Sequence, residues 1–169
     1  MQTREGSEEN KALAEEYVRR QLFDALTEEY VFPVPADMVD SEHARVIAGY
    51  RDAVGEEPDP ETGYELGAIA ERRIRLALLF AEIARCHEIE VPRSEVEQLV
   101  ERVADMDPEH RDEIIDYYLD HPTAMAELQS PLLEDRVVGF ILERCSITDE
   151  TVDAQRLRTA VLGEAADTL

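Results

Sequence analysis

The chain has 169 residues, 44% of them hydrophobic and 34% charged, and carries a formal net charge of −23. This composition is typical of a helix-rich soluble domain. Because binding to phosphates needs clustered Lys and Arg side chains, the negative charge argues against nucleic acid and anionic membrane surfaces as partners.

Two helices and a loop are predicted in the first third of the chain. Apolar residues recur at helical spacing from about Glu8 to Tyr30. The Phe32–Pro35 segment ends this helix, because proline disfavours helix at and before its own position. Pro35 starts a second helix that runs to about Val54. The Gly55–Gly63 segment is predicted to be a loop.

The third predicted helix, from about Tyr64 to His87, has the widest apolar belt and is expected to be the buried central helix. A short extended break follows at Ile89–Pro92. Ser94 is predicted to be the N-cap of a fourth helix, with Glu97 completing a capping box. That helix ends near Asp107-Pro108, where proline stops it.

The last part of the chain is predicted to be helical as well. A fifth helix runs from Glu109 to about Asp120 and ends at His121-Pro122. A sixth starts after Pro122 or Thr123 and reaches about Cys145, with Pro131 as a kink or junction. Asp153–Gly163 forms a short helix before a disordered end. No segment has convincing strand alternation, so the predicted fold class is all-α.

These elements predict a simple domain organisation. Residues 1–10 form a disordered acidic N-terminus, residues 11–152 a helical domain, and residues 153–169 a short helix and tail. The N-terminal segment lacks the apolar region of a signal peptide, and the longest apolar stretch is too short to span a bilayer. A cytoplasmic location is expected. The acidity is interpreted as a solvated surface, with adaptation to high internal salt as the alternative.

The sequence has no catalytic or metal-binding motif. The four histidines lack the i, i+4 spacing of a helical metal site. Cys86 and His87 are neighbours, and adjacent helical side chains do not face each other. Cys86 and Cys145 are predicted to be buried small apolar residues. We therefore expect no enzyme activity, no metal and no cofactor.

Apolar residues gather at the two proline-marked joints. Periodicity leaves open whether they form core or an exposed protein-binding patch. The first cluster contains Phe32, Val34, Met38 and Val39, and the second contains Ile114, Tyr117, Tyr118, Met125 and Leu128.

Three runs of the sequence have the order and spacing of a known family. They are Gln21–Leu26 with Val34–Glu42; Glu71–Ala84 (ERRIRLALLFAEIA) with Ile89–Val96; and Ile115–Tyr118 with His121-Pro122, Leu132–Glu143 and Ile147–Glu150. Together, over about Ala14 to Val152, they resemble the C-terminal domain of trigger factor, the ribosome-associated chaperone family of bacteria.

The resemblance implies an elongated helical domain whose protruding arms form a peptide-binding cradle. It implies an ATP-independent chaperone module, without a cofactor, that binds exposed apolar segments of unfolded or nascent polypeptides and prevents their aggregation. The residues that the resemblance places at the cradle are Phe32, Val34, Met38, Val39, Val46, Ile47, Tyr50, Tyr117, Tyr118, Met125 and Leu128.

Parts of the family pattern are missing from this sequence. It contains neither the N-terminal ribosome-docking domain nor the prolyl isomerase domain of the FK506-binding type. We therefore expect no isomerase activity, and ribosome binding only if the N-terminal domain is present in the full-length protein. The helix that precedes the isomerase domain is also missing, which predicts an exposed apolar groove and a homodimer formed through it.

Two alternatives to the chaperone module remain. The first is a helical scaffold or interaction domain with one dedicated protein partner. The second is the peptide-binding part of a periplasmic parvulin-type chaperone. The sequence disfavours the second, because it lacks a signal peptide and a parvulin domain.

Overall fold

The computed structural model describes residues 2–148 and 154–162, with side chains for residues 10–148 and 157–161. Helices and connecting segments make up all of these residues, and no strand occurs among them, which confirms the all-α prediction. The helices are α1 Gln2–Glu29, α2 Ala36–Val54, α3 Pro60–Cys86, α4 Arg93–Asp105, α5 Arg111–Asp120, α6 Pro122–Leu142 and α7 Ala154–Leu162.

Two helices begin earlier than the apolar pattern predicts. The first, α1, begins at Gln2, so residues 2–10 are helical where a disordered segment is expected. Its polar first turns are rich in Glu, Gln and Arg, which have good helix propensity. The second, α3, begins at Pro60 because the Asp59 carboxylate accepts a hydrogen bond from the Thr62 N–H at 2.8 Å.

The hydrogen bond from Thr62 also lowers the pKa of Asp59 from its usual value, since it stabilises the ionised carboxylate. Residues 149–153 and 163–169 lie outside the described residues. The predicted boundary at 152 and the disordered end therefore stay predictions.

The capping box predicted at the start of α4 is wrong. This helix begins at Arg93, and the Pro92 carbonyl accepts the Glu95 N–H at 2.9 Å, so Ser94 lies inside the first turn. No side chain caps the helix. The Glu97 carboxylate instead forms an i, i+4 ion pair with Arg93 at 2.8 Å.

The chain divides into two compact units, and the boundary falls inside α3. Among the described residues, unit 1 comprises those up to Leu78 and those from Thr148 on, and unit 2 comprises Leu79–Ile147. None of the described helices is long and apolar enough to cross a membrane.

In unit 1, α2 and the first part of α3 share a small apolar core. Val46, Leu66 and Ala70 are buried there, and Ile47, Tyr50 and Ile69 pack against them. Polar contacts join the same helices at one side of this core. The largely buried Glu42 carboxylate accepts hydrogen bonds from Arg45 at 3.1 Å and from Arg73 at 3.2 Å, and the His43 Nε2 lies 3.1 Å from the Gly63 carbonyl oxygen.

Other contacts of unit 1 involve α1. Arg72 of α3 is paired with Asp24 of α1, and α7 packs on α1. Leu157 and Val161 of α7 are buried. The Arg20 guanidinium donates a hydrogen bond to the Val161 carbonyl oxygen at 2.9 Å, at the end of α7 where carbonyls have no partner within the helix.

In unit 2, α4, α5 and α6 pack against one another. The buried residues of α4 and α6 are Val96, Val100, Ala104, Ala124, Val137 and Val138. Arg136 of α6 is paired with Glu95 of α4. The predicted junction at Pro131 does not divide α6, which continues through it. Next to this proline, the Ser130 hydroxyl donates to the Ala126 carbonyl at 3.1 Å.

The predicted burial of both cysteines is wrong, since Cys86 and Cys145 are exposed. Cys86 is the last residue of α3, and Cys145 lies beyond the end of α6, so neither is held inside a packed turn. The Cys86 thiol donates to the Glu82 carboxylate at 3.3 Å. Hydrogen bonds from Arg85, and then from Cys86, lower the pKa of Glu82 to about 2.

The core of unit 1 can be tested with two valines of the same helix. Val46 is 7% exposed and Val54 is 52% exposed. We expect Val46→Ala to lower the free energy of unfolding by about 2 kcal/mol, because it removes two buried methyl groups and leaves a cavity. Val54→Ala is the matched control, with the same chemistry and helix propensity. Urea denaturation of both variants would measure the difference, and equal losses would contradict the core described above.

Candidate functional site

The connection between α1 and α2 exposes apolar side chains in unit 1. Residues 30–35 have no helical structure, because Pro33 and Pro35 end one helix and begin the next. Val31 is 77% exposed and Tyr30 is 50% exposed. The first joint patch consists of the exposed Tyr30, Val31 and Met38 and the half-buried Phe32, Val34 and Val39.

Three residues of the predicted peptide-binding set lie in or against the core of unit 1. Val46 is buried in the α2–α3 core, and Ile47 and Tyr50 pack against that core. Their helical spacing places them on the face of α2 that meets α3. Val46 is therefore covered, and Ile47 and Tyr50 leave only part of their surface exposed.

Two exposed apolar residues next to the α2–α3 loop were missed by the sequence interpretation. Tyr64 is 82% exposed and Val54 is 52% exposed. Tyr64 begins the predicted third helix and was counted as part of it. The available signal is that each residue flanks the Gly55–Gly63 segment.

The connection between α5 and α6 exposes an aromatic group in unit 2. The Tyr117 ring stacks on the His121 ring, with centroids 4.4 Å apart and planes inclined by 25°. It also meets the Tyr118 ring edge to face at 5.5 Å. The His121 Nδ1 lies 2.7 Å from the Tyr117 carbonyl oxygen, which fixes the imidazole under the tyrosine.

Other apolar side chains near this connection are exposed or half-buried. None of the residues of α5 is buried, so this helix contributes half-covered and exposed side chains. The second joint patch consists of the exposed Tyr117 and Leu119 and the half-buried Tyr118, Met125 and Leu128. Methionine and aromatic side chains suit a surface that adapts to different partners.

The second joint patch is surrounded by negative charge. Residues 112–135 contain no Lys or Arg and seven acidic residues. Arg111, just before this segment, is paired with Asp105 at 2.9 Å, which raises the pKa of its guanidinium. No ion pair is found among the described residues for Glu113, Asp116, Asp120 or Glu127. These four carboxylates give the surface near α5 and α6 a negative charge.

The described part of the chain holds no cluster of three or more His, Cys, Asp or Glu side chains able to hold a metal ion. The exposed His110 makes a local contact with Asp107 at 3.0 Å. His43 lies between α2 and α3, with its ring over Gly67. These contacts position helices and turns.

The predicted binding residues that remain accessible therefore form two groups. Phe32, Val34, Met38 and Val39 lie in unit 1, and Tyr117, Tyr118, Met125 and Leu128 lie in unit 2. Each group spans a short stretch of the sequence. Each also adjoins a proline at the junction of two helices.

Comparison with known proteins identifies relatives along most of the chain. A family model described as the bacterial trigger factor protein C-terminus matches residues 3–143. The chain is 34% identical over 163 residues to a trigger factor of Rhizorhabdus wittichii, covering 91% of this chain and 30% of that protein. It is 32% identical over 166 residues to a trigger factor of Zymomonas mobilis, covering 93% and 34%.

A third relative, a trigger factor of Rhodospirillum centenum, is 37% identical over 148 residues, covering 82% of this chain and 33% of that protein. The chain thus spans about a third of the length of the curated relatives it matches.

Proposed function

The chain belongs to the family of the bacterial trigger factor C-terminus, and on this basis we propose that it is an ATP-independent chaperone module. It binds exposed apolar segments of unfolded or nascent polypeptides and prevents their aggregation. The observation that carries the proposal is the exposure of large apolar side chains at both joints, above all Val31 and Tyr117. Exposed apolar patches of this kind are typical of protein-binding sites.

The residues that contact the client are assigned by the exposure of their side chains. In unit 1 we assign the first joint patch, and in unit 2 the second joint patch. Val46, Ile47 and Tyr50 are not assigned as contacts, because Val46 is buried in the α2–α3 core and Ile47 and Tyr50 pack against it. The binding is non-enzymatic in this proposal, so neither a cofactor nor a prolyl isomerase activity is assigned to these residues.

The energetics of such patches favour weak and additive binding. Burial of apolar surface contributes roughly 25 cal/mol per Å². Ordering a flexible client and the side chains that meet it offsets much of this gain. Clients are therefore held by several small contacts, and no single pocket determines which sequence binds.

The negative charge of the chain also favours some client polypeptides over others. The net charge of −23 and the acidic segment 112–135 favour polypeptides with Lys or Arg near their apolar residues. Cytoplasmic action, away from nucleic acid and membrane surfaces, is part of the same proposal. Ribosome binding is proposed only for a full-length protein that carries a ribosome-docking domain.

The chaperone proposal is tested by suppression of the aggregation of a chemically denatured protein, followed by light scattering. We expect the intact chain to suppress aggregation at equimolar to several-fold excess. Val31→Ser and Tyr117→Ser should each weaken suppression by about two- to fivefold in the concentration required, since each removes one weak apolar contact. If the folded chain gives no suppression at any excess, the proposal is wrong.

Matched controls are available for both substitutions. Val54 and Tyr64 are also more than half exposed but lie outside the two joint patches. Val54→Ser and Tyr64→Ser should leave suppression unchanged. Equal losses in all four variants would contradict the assignment to the joints without contradicting chaperone activity.

The charge selection has a separate test. Fluorescence anisotropy would compare a labelled apolar peptide containing several Arg residues with the same peptide containing Gln in their place. Raising the salt from about 50 to 300 mM should weaken binding of the Arg peptide and barely affect the Gln peptide, because salt screens exposed charges. Affinities that do not depend on salt for either peptide would remove the electrostatic part of the proposal.

A homodimer formed through an exposed apolar groove is also proposed. Static light scattering over the micromolar range should show a rising apparent mass. A strict monomer at several hundred micromolar would contradict it.

A further inference from the structure

The short helix α7 makes a small and specific contact with α1. It has nine residues, Ala154–Leu162, and packs on α1 within unit 1. Leu157 and Val161 are buried, and their i, i+4 spacing places both on one face of α7. Arg20 of α1 donates to the Val161 carbonyl at 2.9 Å, which satisfies one unpaired group at the end of α7.

The helical structure of α7 depends on this contact. Isolated helices shorter than about 12 residues are marginal in water. With nine residues, α7 is below that length, and two of its described side chains, those of residues 157–161, are buried. The contact is therefore weak enough to be displaced.

Most of α1 lies beyond the reach of α7. At 1.5 Å per residue, the 28 residues of α1 extend for about 42 Å and the nine of α7 for about 14 Å. The apolar stripe of α1 is half-buried along its length, and no described side chain of α1 is fully buried. Its members are Leu13, Tyr17, Val18, Leu22, Phe23 and Leu26. A longer apolar segment can cover more of this stripe than α7 does.

The charges of the two helices are complementary. By sequence, α7 contains Arg156 and Arg158 and no acidic residue, whereas α1 contains eight acidic and four basic residues. In a chain with net charge −23, α7 is thus a positively charged amphipathic segment. An amphipathic helix in an apolar groove is a common mode of peptide recognition.

We propose that α7 occupies a peptide-binding face of α1, and that basic amphipathic segments of client polypeptides compete with α7 for this face. The inference rests on the proposed chaperone function and adds a third, self-occupied surface to the two joint patches. Because α7 is attached to the chain, its effective concentration at α1 is high. If α7 is docked nine-tenths of the time, the apparent Kd of a client for this face is raised about tenfold.

The test uses the full-length chain with Leu157→Asp and Val161→Asp, which undocks α7 without touching α1. We expect the double variant to bind a labelled basic amphipathic peptide of about 20 residues three- to tenfold more tightly than the unaltered chain. A free peptide with the sequence of Ala154–Leu162 should reverse this gain when added in excess. The same peptide with Asp at both positions is the control for the competitor, and Val54→Asp is the control for a new exposed carboxylate in unit 1.

NMR amide shifts of the double variant provide a second readout. Addition of the Ala154–Leu162 peptide should shift resonances of α1, and the labelled client peptide should shift an overlapping set. Undocking is expected to cost the helix content of the nine residues of α7. Where the double variant loses more helix content than this by circular dichroism, Leu157→Ala takes its place, with a smaller gain expected in the same direction.

Three results would overturn the inference. Equal or weaker client binding after undocking, in either variant, would show that α7 is only structural. Client-induced shifts that leave the resonances of α1 unchanged would place the client elsewhere, and both results leave the chaperone proposal standing if the unaltered chain suppresses aggregation. Absence of client binding in the unaltered chain and in both variants would overturn the two proposals together.

Discussion

Proline at a helix junction is the constraint on which the exposed surfaces of this protein depend. Pro33 and Pro35 prevent α1 and α2 from forming one continuous helix, and the intervening residues cannot join a helix–helix interface. Apolar side chains in such a segment stay accessible although their neighbours along the chain are covered. Pro122 has the same effect between α5 and α6. Pro131 does not, because the residues on both sides of it remain packed in unit 2, and α6 continues through it. The position of a proline relative to the packing, rather than its presence, determines where apolar surface is exposed.

Periodicity predicted the existence and order of the helices, because a helix with one apolar face has a recognisable spacing. It did not predict which part of each face is covered. Val46 and Val54 lie on the same helix and differ in exposure from 7% to 52%, since only Val46 lies against Leu66 and Ala70. The cysteines were misplaced for a related reason. Both follow apolar runs, but each lies at or beyond a helix end, where no partner helix covers it. Ser94 satisfied the capping pattern, yet the Pro92 carbonyl had already started the helix. Long-range packing, which a single sequence does not encode locally, decides the exposure of the valines and the cysteines, whereas a local backbone hydrogen bond decides where α4 begins.

Several of the arginines form ion pairs within the protein. Arg72, Arg73 and Arg136 each connect two helices through a carboxylate, with Asp24, Glu42 and Glu95 as partners. Most of these pairs are exposed, so each contributes little to stability and serves chiefly to orient the helices. Because the arginines are engaged in this way, the excess carboxylates determine the field that an approaching polypeptide meets. The acidic character of the surface is thus a consequence of composition and of internal pairing together.

The order in which the residues of unit 1 are synthesised determines when this unit can assemble. Unit 2 is continuous in sequence, whereas unit 1 combines residues from both ends of the described chain. During translation, unit 2 has all of its residues available before α7 leaves the exit tunnel, and domains generally fold as units as they emerge. The α1 helix therefore remains without its α7 neighbour until residues 154–162 have been synthesised. For that interval, a protein with a proposed role in protecting nascent chains is itself a nascent chain with an uncovered apolar helix.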